Sequence, residues 1–238
     1  MAFGDVIRSA ASPSDTPYGT GGDANTIWHC DVIAVKVYEL LISDFGVVRS
    51  GSSPNSQPYG IGGDANTIWH CGINPYRVYE LSTTDLSEVR SDSSPGSKPY
   101  GIGGDANTIW HCDYGVSKVY ELSTSDLSVV RSGSSPSNHA CDIGGDANTI
   151  WHCDYGTDTV YELSTTNFEV IKSAASPSGT PHGVGGDANT IWHCDSTTDK
   201  VYELDAAAGW SGKISGVTDP AKVMGVDVAN IAKVKGVA

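Results

Sequence analysis

The chain has few basic residues and none of the long apolar runs that membrane spans require. Its 14 Lys and Arg stand against 28 Asp and Glu, which gives a formal net charge of −14. This charge repels phosphate backbones and anionic lipid surfaces, so we expect neither nucleic acid nor membrane as a partner. Residues 1–14 lack the basic patch and apolar run of a signal peptide. We therefore expect a soluble chain, and its location stays open.

The motifs of several common enzyme and ligand-binding classes are also missing. The chain contains no Ser-His-Asp order, no phosphate loop, no HExxH and no DxDxDG. No apolar stripe recurs at helical spacing, which excludes a solenoid of helix pairs. These absences predict a chain that uses no cofactor.

The chain instead repeats one sequence five times. The ten residues GGDANTIWHC recur without change, always 41 residues apart, beginning at Gly21, Gly62, Gly103, Gly144 and Gly185. A fixed period of this length is typical of repeat architectures. The repeats extend to about residue 207, so we predict one domain at residues 1–207 and a separate tail at residues 208–238.

Each repeat contains four short runs with the period-two alternation of β-strands. They read PYGIGG, TIWHC, VYEL and SVVRS, and we name them strands a, b, c and d. Four antiparallel strands in about 40 residues form one blade of a β-propeller. Strand d follows its own blade only four times, and the fifth copy is DVIRS at residues 5–9. We predict an all-β, five-bladed propeller of four-stranded antiparallel blades, with the N-terminal strand closing the last blade.

The side chains of the repeat suit such a ring. Three glycines in strand a allow the innermost strands to approach closely, and the repeated Trp and Tyr fill the wedges between blades. Asp23 at the DANT turn fits a side-chain bond to the backbone two residues on. Glu39 and Arg49 fit a cross-strand ion pair, repeated in later blades. A ring of acidic residues for Ca²⁺ or acid catalysis is a weaker alternative.

The repeated His-Cys pair raises the question of metal binding. Adjacent strand residues point to opposite faces, so His70 and Cys71 cannot close on one ion. We favour a buried, hydrogen-bonded histidine, and a His meeting the Cys of the next blade is the alternative. Equivalent cysteines on separate blades lie too far apart for disulfides, and Cys141 is expected to stay a free thiol.

Differences between the blades gather in loops on one side of the ring. The b-to-c and d-to-a loops share this side and vary, whereas the DANT turns on the other side never change. Adaptation of the variable loops to a binding partner explains this asymmetry, and neutral drift is the alternative. Tyr and His among small polar residues resemble an antibody-like binding surface. The candidate ligand-binding residues are Tyr18, Tyr59, Tyr100, Cys141, His182, Lys98, His139, Tyr114 and Tyr155.

The repeat resembles a known class of propeller. PYGIGGDANTIWHCD followed by KVYEL is similar to the repeat of NHL and YVTN-type propellers, where a PxGIAVD strand leads to LWVAD and RVxVF strands. The resemblance covers about the first 207 residues and implies a propeller without fixing an activity, since this architecture hosts lyases, lactonases, binders and scaffolds. Those families usually have six or seven blades, and here His and Cys replace their Val and Ala. Near-identical amplified repeats are also similar in style to those of microbial and viral surface proteins.

The tail carries signals for short helices. TDPAKVMG and VDVANIAKVKG each place Asp at an N-cap and Gly at the end, so they predict two helical turns. Their apolar residues, such as Val223 and Ile231, are too few for a domain. We expect the tail to dock on the ring or to link it to a larger assembly.

Two function classes remain. The first is a non-enzymatic binding or structural propeller, a surface or virion component that recognises a glycan or protein; five equivalent blades favour it, because catalysis needs different residues at one point. A propeller of this first class would bind its ligand on the variable face, or in five identical sugar pockets on the invariant face. The alternative is a lyase or lactonase-like enzyme with an axial metal.

Overall fold

In a computed structural model the chain is a ring of five four-stranded antiparallel sheets, which confirms the predicted five-bladed propeller. The structure describes residues 2–206 and, beyond them, residues 213–214, 217–218, 222–223 and 226–227. None of these described residues belongs to a helix, and none forms a helix that could span a membrane.

The strands follow the repeat closely. In each blade, strands a, b and c lie in that order from the centre of the ring outwards, and strand d is outermost. Blade 1 contains β2 (Pro17–Gly22), β3 (Ile27–Asp31), β4 (Lys36–Leu40) and β5 (Val47–Ser52). Blade 2 contains β6 (Pro58–Gly63), β7 (Ile68–Ile73), β8 (Tyr76–Leu81) and β9 (Glu88–Ser93). Blade 3 contains β10 (Pro99–Gly104), β11 (Ile109–Asp113), β12 (Lys118–Leu122) and β13 (Val129–Ser134). Blade 4 contains β14 (Ala140–Gly145), β15 (Ile150–Asp154), β16 (Thr159–Leu163) and β17 (Val170–Ala175).

The N-terminal strand completes blade 5, as the sequence predicts. The blade contains β18 (Pro181–Gly186), β19 (Thr190–Asp195), β20 (Lys200–Asp205) and, as its outer strand, β1 (Val6–Ala11). β1 pairs antiparallel with β20, and the Arg8 guanidinium contacts the Glu203 carboxylate. The ring is therefore held shut by main-chain hydrogen bonds between its two ends, and β20 has no free edge.

Close packing of the inner strands explains the glycines of strand a. A Cβ added at Gly103 would lie 2.9 Å from the Cα of Gly144 in the next blade. A Cβ added at Gly22 would lie 1.9 Å from the carbonyl oxygen of Thr26. Neither position can hold a side chain without moving the backbone.

The repeated tryptophan fastens each blade to the next. Trp28 packs in a buried cluster with Ile61, Tyr79 and other side chains of blade 2. Its indole N–H donates to a backbone carbonyl oxygen of the next blade, that of Asp64, at 3.0 Å. The same bond recurs at the other four interfaces, at 2.8 to 3.1 Å, from Trp69, Trp110, Trp151 and Trp192. Burying a side chain of this size contributes about 4–6 kcal/mol, at about 25 cal/mol per Å².

The predicted cross-strand ion pairs form and also reach the next blade. The Arg49 guanidinium is 2.5 Å from the Glu39 carboxylate and lies 5.6 Å from the ring centre of Trp28. It also donates to the carbonyl oxygens of Thr83 and Thr84 in blade 2. Equivalent pairs join Glu80 with Arg90, Glu121 with Arg131 and Glu162 with Lys172.

The described part of the tail consists of two pairs of two-residue strands. β21 (Lys213–Ile214) pairs with β22 (Val217–Thr218), and β23 (Lys222–Val223) pairs with β24 (Val226–Asp227). The two predicted helical turns fall largely outside the described residues. Where the structure does describe those two segments, the residues are in strands.

Candidate functional site

The two kinds of variable loop meet on one face of the ring. Tyr114 lies in the b-to-c loop of blade 3, and His139 lies in the connection that leads into blade 4. Their rings are 5.7 Å apart, so loops from neighbouring blades touch there. We call this side the variable face and the side with the DANT turns the invariant face.

Aromatic rings form a closed circuit at the variable face. Tyr59 stands between Tyr18 at 4.6 Å and Tyr100 at 4.5 Å, measured between ring centres, and Tyr100 stacks on Tyr114 at 4.9 Å. The circuit returns to Tyr18 through His139 and two further rings, with no step longer than 6.4 Å. We call this set the aromatic belt: Tyr18, Tyr59, Tyr100, Tyr114, His139, Tyr155 and His182.

Seven of the nine residues that the sequence singles out form the belt. Lys98 joins it from the edge, with its ammonium 5.4 Å from the centre of the Tyr114 ring. Cys141 is the exception. It replaces the tyrosine of strand a in blade 4, but it is only 2% exposed, so its thiol is not presented at the mouth. The smaller side chain leaves a gap that Tyr114, His139 and Tyr155 bridge.

Burial favours the uncharged form of three residues of the belt. Burial, with the neighbouring Tyr59, raises the pKa of Tyr18 to about 12, and burial likewise raises the pKa of Tyr100. Burial lowers the pKa of His182 to about 4, against the opposing effect of Asp195. The Nδ1 atom of His182 is buried and has no hydrogen-bond partner within the described part of the chain. Tyr18, Tyr100 and His182 are therefore uncharged at neutral pH.

A buried aspartate supports the variable loops in four blades. In blade 1, the Asp31 carboxylate accepts a hydrogen bond from the Ala34 amide at 2.6 Å and one from the Thr16 amide at 2.9 Å. It thereby ties a b-to-c loop to a d-to-a loop. Sequence analysis missed this role, although the residue follows WHC in every blade except blade 2. The equivalent residues are Asp113, Asp154 and Asp195.

In blade 2, different residues connect the b-to-c loop with the d-to-a loop. Gly72 stands where the aspartate would be, and a Cβ there would lie 2.3 Å from the side-chain Cγ of Asn55. The buried Asn55 amide fills this space. Its oxygen accepts from the amides of Gln57 at 2.9 Å and Asn74 at 3.2 Å, and its nitrogen donates to the Pro75 carbonyl at 2.7 Å.

The repeated histidines have the buried, hydrogen-bonded environment that we favoured. In blade 2, Nδ1 of His70 donates to the Gly60 carbonyl at 2.7 Å, and Nε2 accepts from the Ser53 hydroxyl at 2.9 Å. The same serine pairing recurs in the other blades. Burial lowers the pKa of all five to about 4, so they are neutral.

The cysteines are buried and unbonded to one another. All six are free thiols. Within the described ranges, no group of three or more His, Cys, Asp or Glu side chains is placed to hold a metal ion. The axial metal of the alternative hypothesis therefore has no ligand set in this part of the chain.

The invariant face has a central cavity of about 210 Å³, lined by the five Gly-Asp pairs of the turns. The aspartates act in the turns as the sequence predicts. Asp23 accepts from the amides of Asn25 and Thr26, both at 2.8 Å. The cavity lies on the axis and is shared by all blades, unlike the five separate sugar pockets considered above.

The propeller axis also holds a residue that sequence analysis did not single out. Asp142 occupies the glycine position of strand a in blade 4 and is fully buried. The signal was present in the sequence, because ACDIGG departs from PYGIGG at adjacent positions. The preceding loop also varies between blades, so the new carboxylate does not stand out from the sequence alone.

No protein-family model matches the chain, and no curated protein matches its sequence. Solved structures are similar to it in fold. The glutaminyl cyclase of Myxococcus xanthus has a TM-score of 0.67 at 11% identity, over 86% of this chain and 99% of that one. Virginiamycin B lyase of Staphylococcus aureus has a TM-score of 0.50 at 22% identity, over 82% of this chain and 67% of that one. A chain of a nidogen/laminin complex has a TM-score of 0.60 at 14% identity, over 82% of this chain and 77% of that one. These similarities establish the propeller fold.

The neighbours correct our expectation that the protein is not an enzyme. Two of them are enzymes, so a ring of this kind does not count against catalysis. The expectation rested on five equivalent blades, and blade 4 departs from this equivalence. Cys141 and Asp142 of β14 stand where the other blades have Tyr or His and Gly.

Proposed function

We propose that the protein is a recognition propeller that binds a glycan or a protein segment on the aromatic belt. The observation that supports this most is the closed circuit of seven rings, located where the blades differ from one another. The belt is built on rigid strands and on loops held by the buried aspartates. A preformed surface of this kind binds without the entropy cost of ordering loops.

The chemistry of the belt suits a ligand with apolar faces and hydroxyl groups. Neutral tyrosine rings offer flat surface to the C–H face of a sugar or to a proline or aliphatic side chain. Their hydroxyls and the Lys98 ammonium supply polar contacts at the edge. Among the similar folds, one neighbour is a component of a nidogen/laminin complex, and that protein-binding role supports the proposal by analogy.

The test is a screen of the purified protein on a glycan array and on an array of peptides, followed by affinity measurements on the hits. Tyr59→Ala removes the ring that links Tyr18 to Tyr100, and we expect at least a tenfold loss of affinity, about 1.4 kcal/mol. Tyr100→Ala should have a similar effect, because it removes the contacts to both Tyr59 and Tyr114.

Tyr76→Ala is the matched control. This tyrosine is 51% exposed in the b-to-c hairpin of blade 2 and is not in the belt. Its loss should leave affinity unchanged. Equal losses from Tyr76→Ala and Tyr59→Ala would place binding elsewhere on the face, and binding that survives both belt substitutions would refute the proposal.

Catalysis at the same mouth is a second candidate. It is favoured by the neutral imidazole of His182 in the belt and by the enzymes among the similar folds. Incubation with quinupristin and with an N-terminal glutaminyl peptide, followed by mass spectrometry, tests the two activities that the neighbours' names suggest. Turnover that is lost in His182→Ala would support this candidate.

Two further proposals concern the relationships and assembly of the chain. The blades descend from an NHL or YVTN-type repeat, which is supported by the order of their motifs. Residues 208–238 are a separate segment that attaches the ring to a larger assembly, which is supported by the end of the repeat near residue 207.

A further inference from the structure

One carboxylate lies on the propeller axis and breaks the symmetry of the inner strands. Asp142 in β14 takes the position that glycine has in every other blade, and its side chain is completely buried. The equivalent residues are Gly19, Gly60, Gly101 and Gly183. A buried charge without partners is costly, so its surroundings have to supply hydrogen bonds.

Backbone amides of four different blades supply them. Oδ1 of Asp142 accepts from the amide of Ile143 at 2.9 Å, and Oδ2 accepts from the amide of Val184 at 3.0 Å. The amides of Thr20 and Ile102 donate to the same carboxyl. These four donors come from blades 4, 5, 1 and 3.

The amides are equivalent positions of one ring. A Cβ added at Gly183 would lie 2.5 Å from the Thr20 nitrogen, and one added at Gly60 would lie 2.7 Å from the Ile102 nitrogen. The same relation holds in the remaining blade, where a Cβ at Gly19 would lie 2.7 Å from the Ile61 nitrogen. Each strand a therefore places one amide nitrogen beside the glycine position of its neighbour, close to the axis.

We propose that these inward-facing amides form an anion-binding ring on the axis and that the Asp142 carboxylate is its resident ligand. Backbone N–H groups that converge on one point bind negative charge without any basic side chain. Burial raises the pKa of the Asp142 carboxyl, and the amides oppose this because they donate to the charged form.

This assignment predicts what occupies the ring when the carboxylate is removed. A small monovalent anion, such as chloride or formate, fits the same donors. The triple variant Ala140→Pro, Cys141→Tyr, Asp142→Gly gives β14 the PYGIGG sequence of β6 and β10, so it should fold like those blades. It restores the glycine and opens the ring to solute.

The test compares chloride with gluconate, a much larger anion, at equal ionic strength. For the triple variant we expect saturable broadening of the ³⁵Cl NMR line and a melting temperature that rises by on the order of 4 °C with chloride. The wild-type protein should show neither effect. Equal responses to chloride and gluconate, or the same chloride response in the wild type, would overturn the proposal.

Asp142→Asn keeps the test decisive if the triple variant does not fold. Its side chain has the same size but no charge, and it points a donor group at the amide ring. We expect a lower melting temperature than the wild type and no response to chloride, since the amide still fills the space. A variant as stable as the wild type would show that the ring does not require an anion.

Discussion

At the scale of the residue, Val35 has a backbone conformation that its branched side chain disfavours. Its φ is +54°, in the left-handed region. The equivalent residues in blades 3 to 5 are Ser117, Asp158 and Asp199, whose φ values lie between 49° and 51°. Short polar side chains tolerate this region better than valine does.

Val35→Asn should therefore stabilise the protein. We expect the free energy of unfolding to rise by about 1 kcal/mol, measured by chemical denaturation. Val116→Asn is the control, because it changes an exposed valine in the matching loop of blade 3 that has no positive φ. If both variants gave the same change, relief of backbone strain would not be its cause.

The buried histidines make stability depend on pH. The folded pKa of the five repeat histidines and of His182 is about 4, below the value of 6.5 for a free histidine. The unfolded chain therefore binds more protons between pH 4 and pH 6.5. Stability is complete above about pH 6.5 and is lost as the pH falls towards 4.

We expect the free energy of unfolding to fall by on the order of 5 kcal/mol between pH 7 and pH 5.5, because six histidines contribute together. Urea denaturation at a series of pH values measures the slope. A constant free energy of unfolding across this range would mean that the histidines take up protons equally in the folded and unfolded states.

At the scale of the element, blade 2 and blade 4 support the same pair of loops with different residues. Asn55 with Gly72 replaces the Ser137 and Asp154 pair of blade 4, in which the serine hydroxyl contacts the carboxylate. Asn55→Ser alone should cost about 2 kcal/mol, since it leaves amides of the loop without acceptors. Gly72→Asp alone should also destabilise, because its Cβ would collide with Asn55.

The double variant Asn55→Ser, Gly72→Asp recreates the blade 4 pair and should recover most of this loss. Thermal denaturation of the two single variants and the double variant gives the coupling energy. Additive losses would show that the two positions act independently and that the loops are supported in another way.

The strands of this fold were predictable because the same sequence pattern recurs in each repeat. Alternation and turn residues marked strands a to d, and the count of strand d identified β1 as the closing strand. The belt was predictable as a set of residues, since Tyr18, Tyr59 and Tyr100 share one repeat position. Its closed geometry was not, because Tyr114 and His139 come from loops whose paths no periodicity specifies. Asp142 and Asn55 were missed because their roles depend on space left by glycines in other strands.

At the scale of the whole molecule, the ring depends on its N-terminal strand. The Arg8 guanidinium carbon of β1 lies 4.7 Å from the centre of the Phe45 ring, and Ala10 packs against the interface of blades 5 and 1. Deletion of residues 2–11 removes these contacts and exposes the edge of β20. We expect a loss of about 3 kcal/mol or more in the free energy of unfolding, together with self-association detectable by light scattering.

Truncation after residue 207 is the matched control. It removes the proposed separate tail and leaves every strand of the five blades in place, so the melting temperature should not change. A large decrease would show that residues 208–238 belong to the folded ring, contrary to the predicted domain division.

The pairing of β1 with β20 also sets how the ring responds to force. Val6 pairs with Leu204 and Ala11 with Lys200, so both chain ends leave the pair at the same end. Tension applied between the two ends would unzip these hydrogen bonds one after another, the weakest geometry for a strand pair under load. If the ring is anchored through its tail alone, tension passes through β20 and does not reach β1. The hydrogen bonds between β1 and β20 then bear no load, so a single anchor leaves the ring closed.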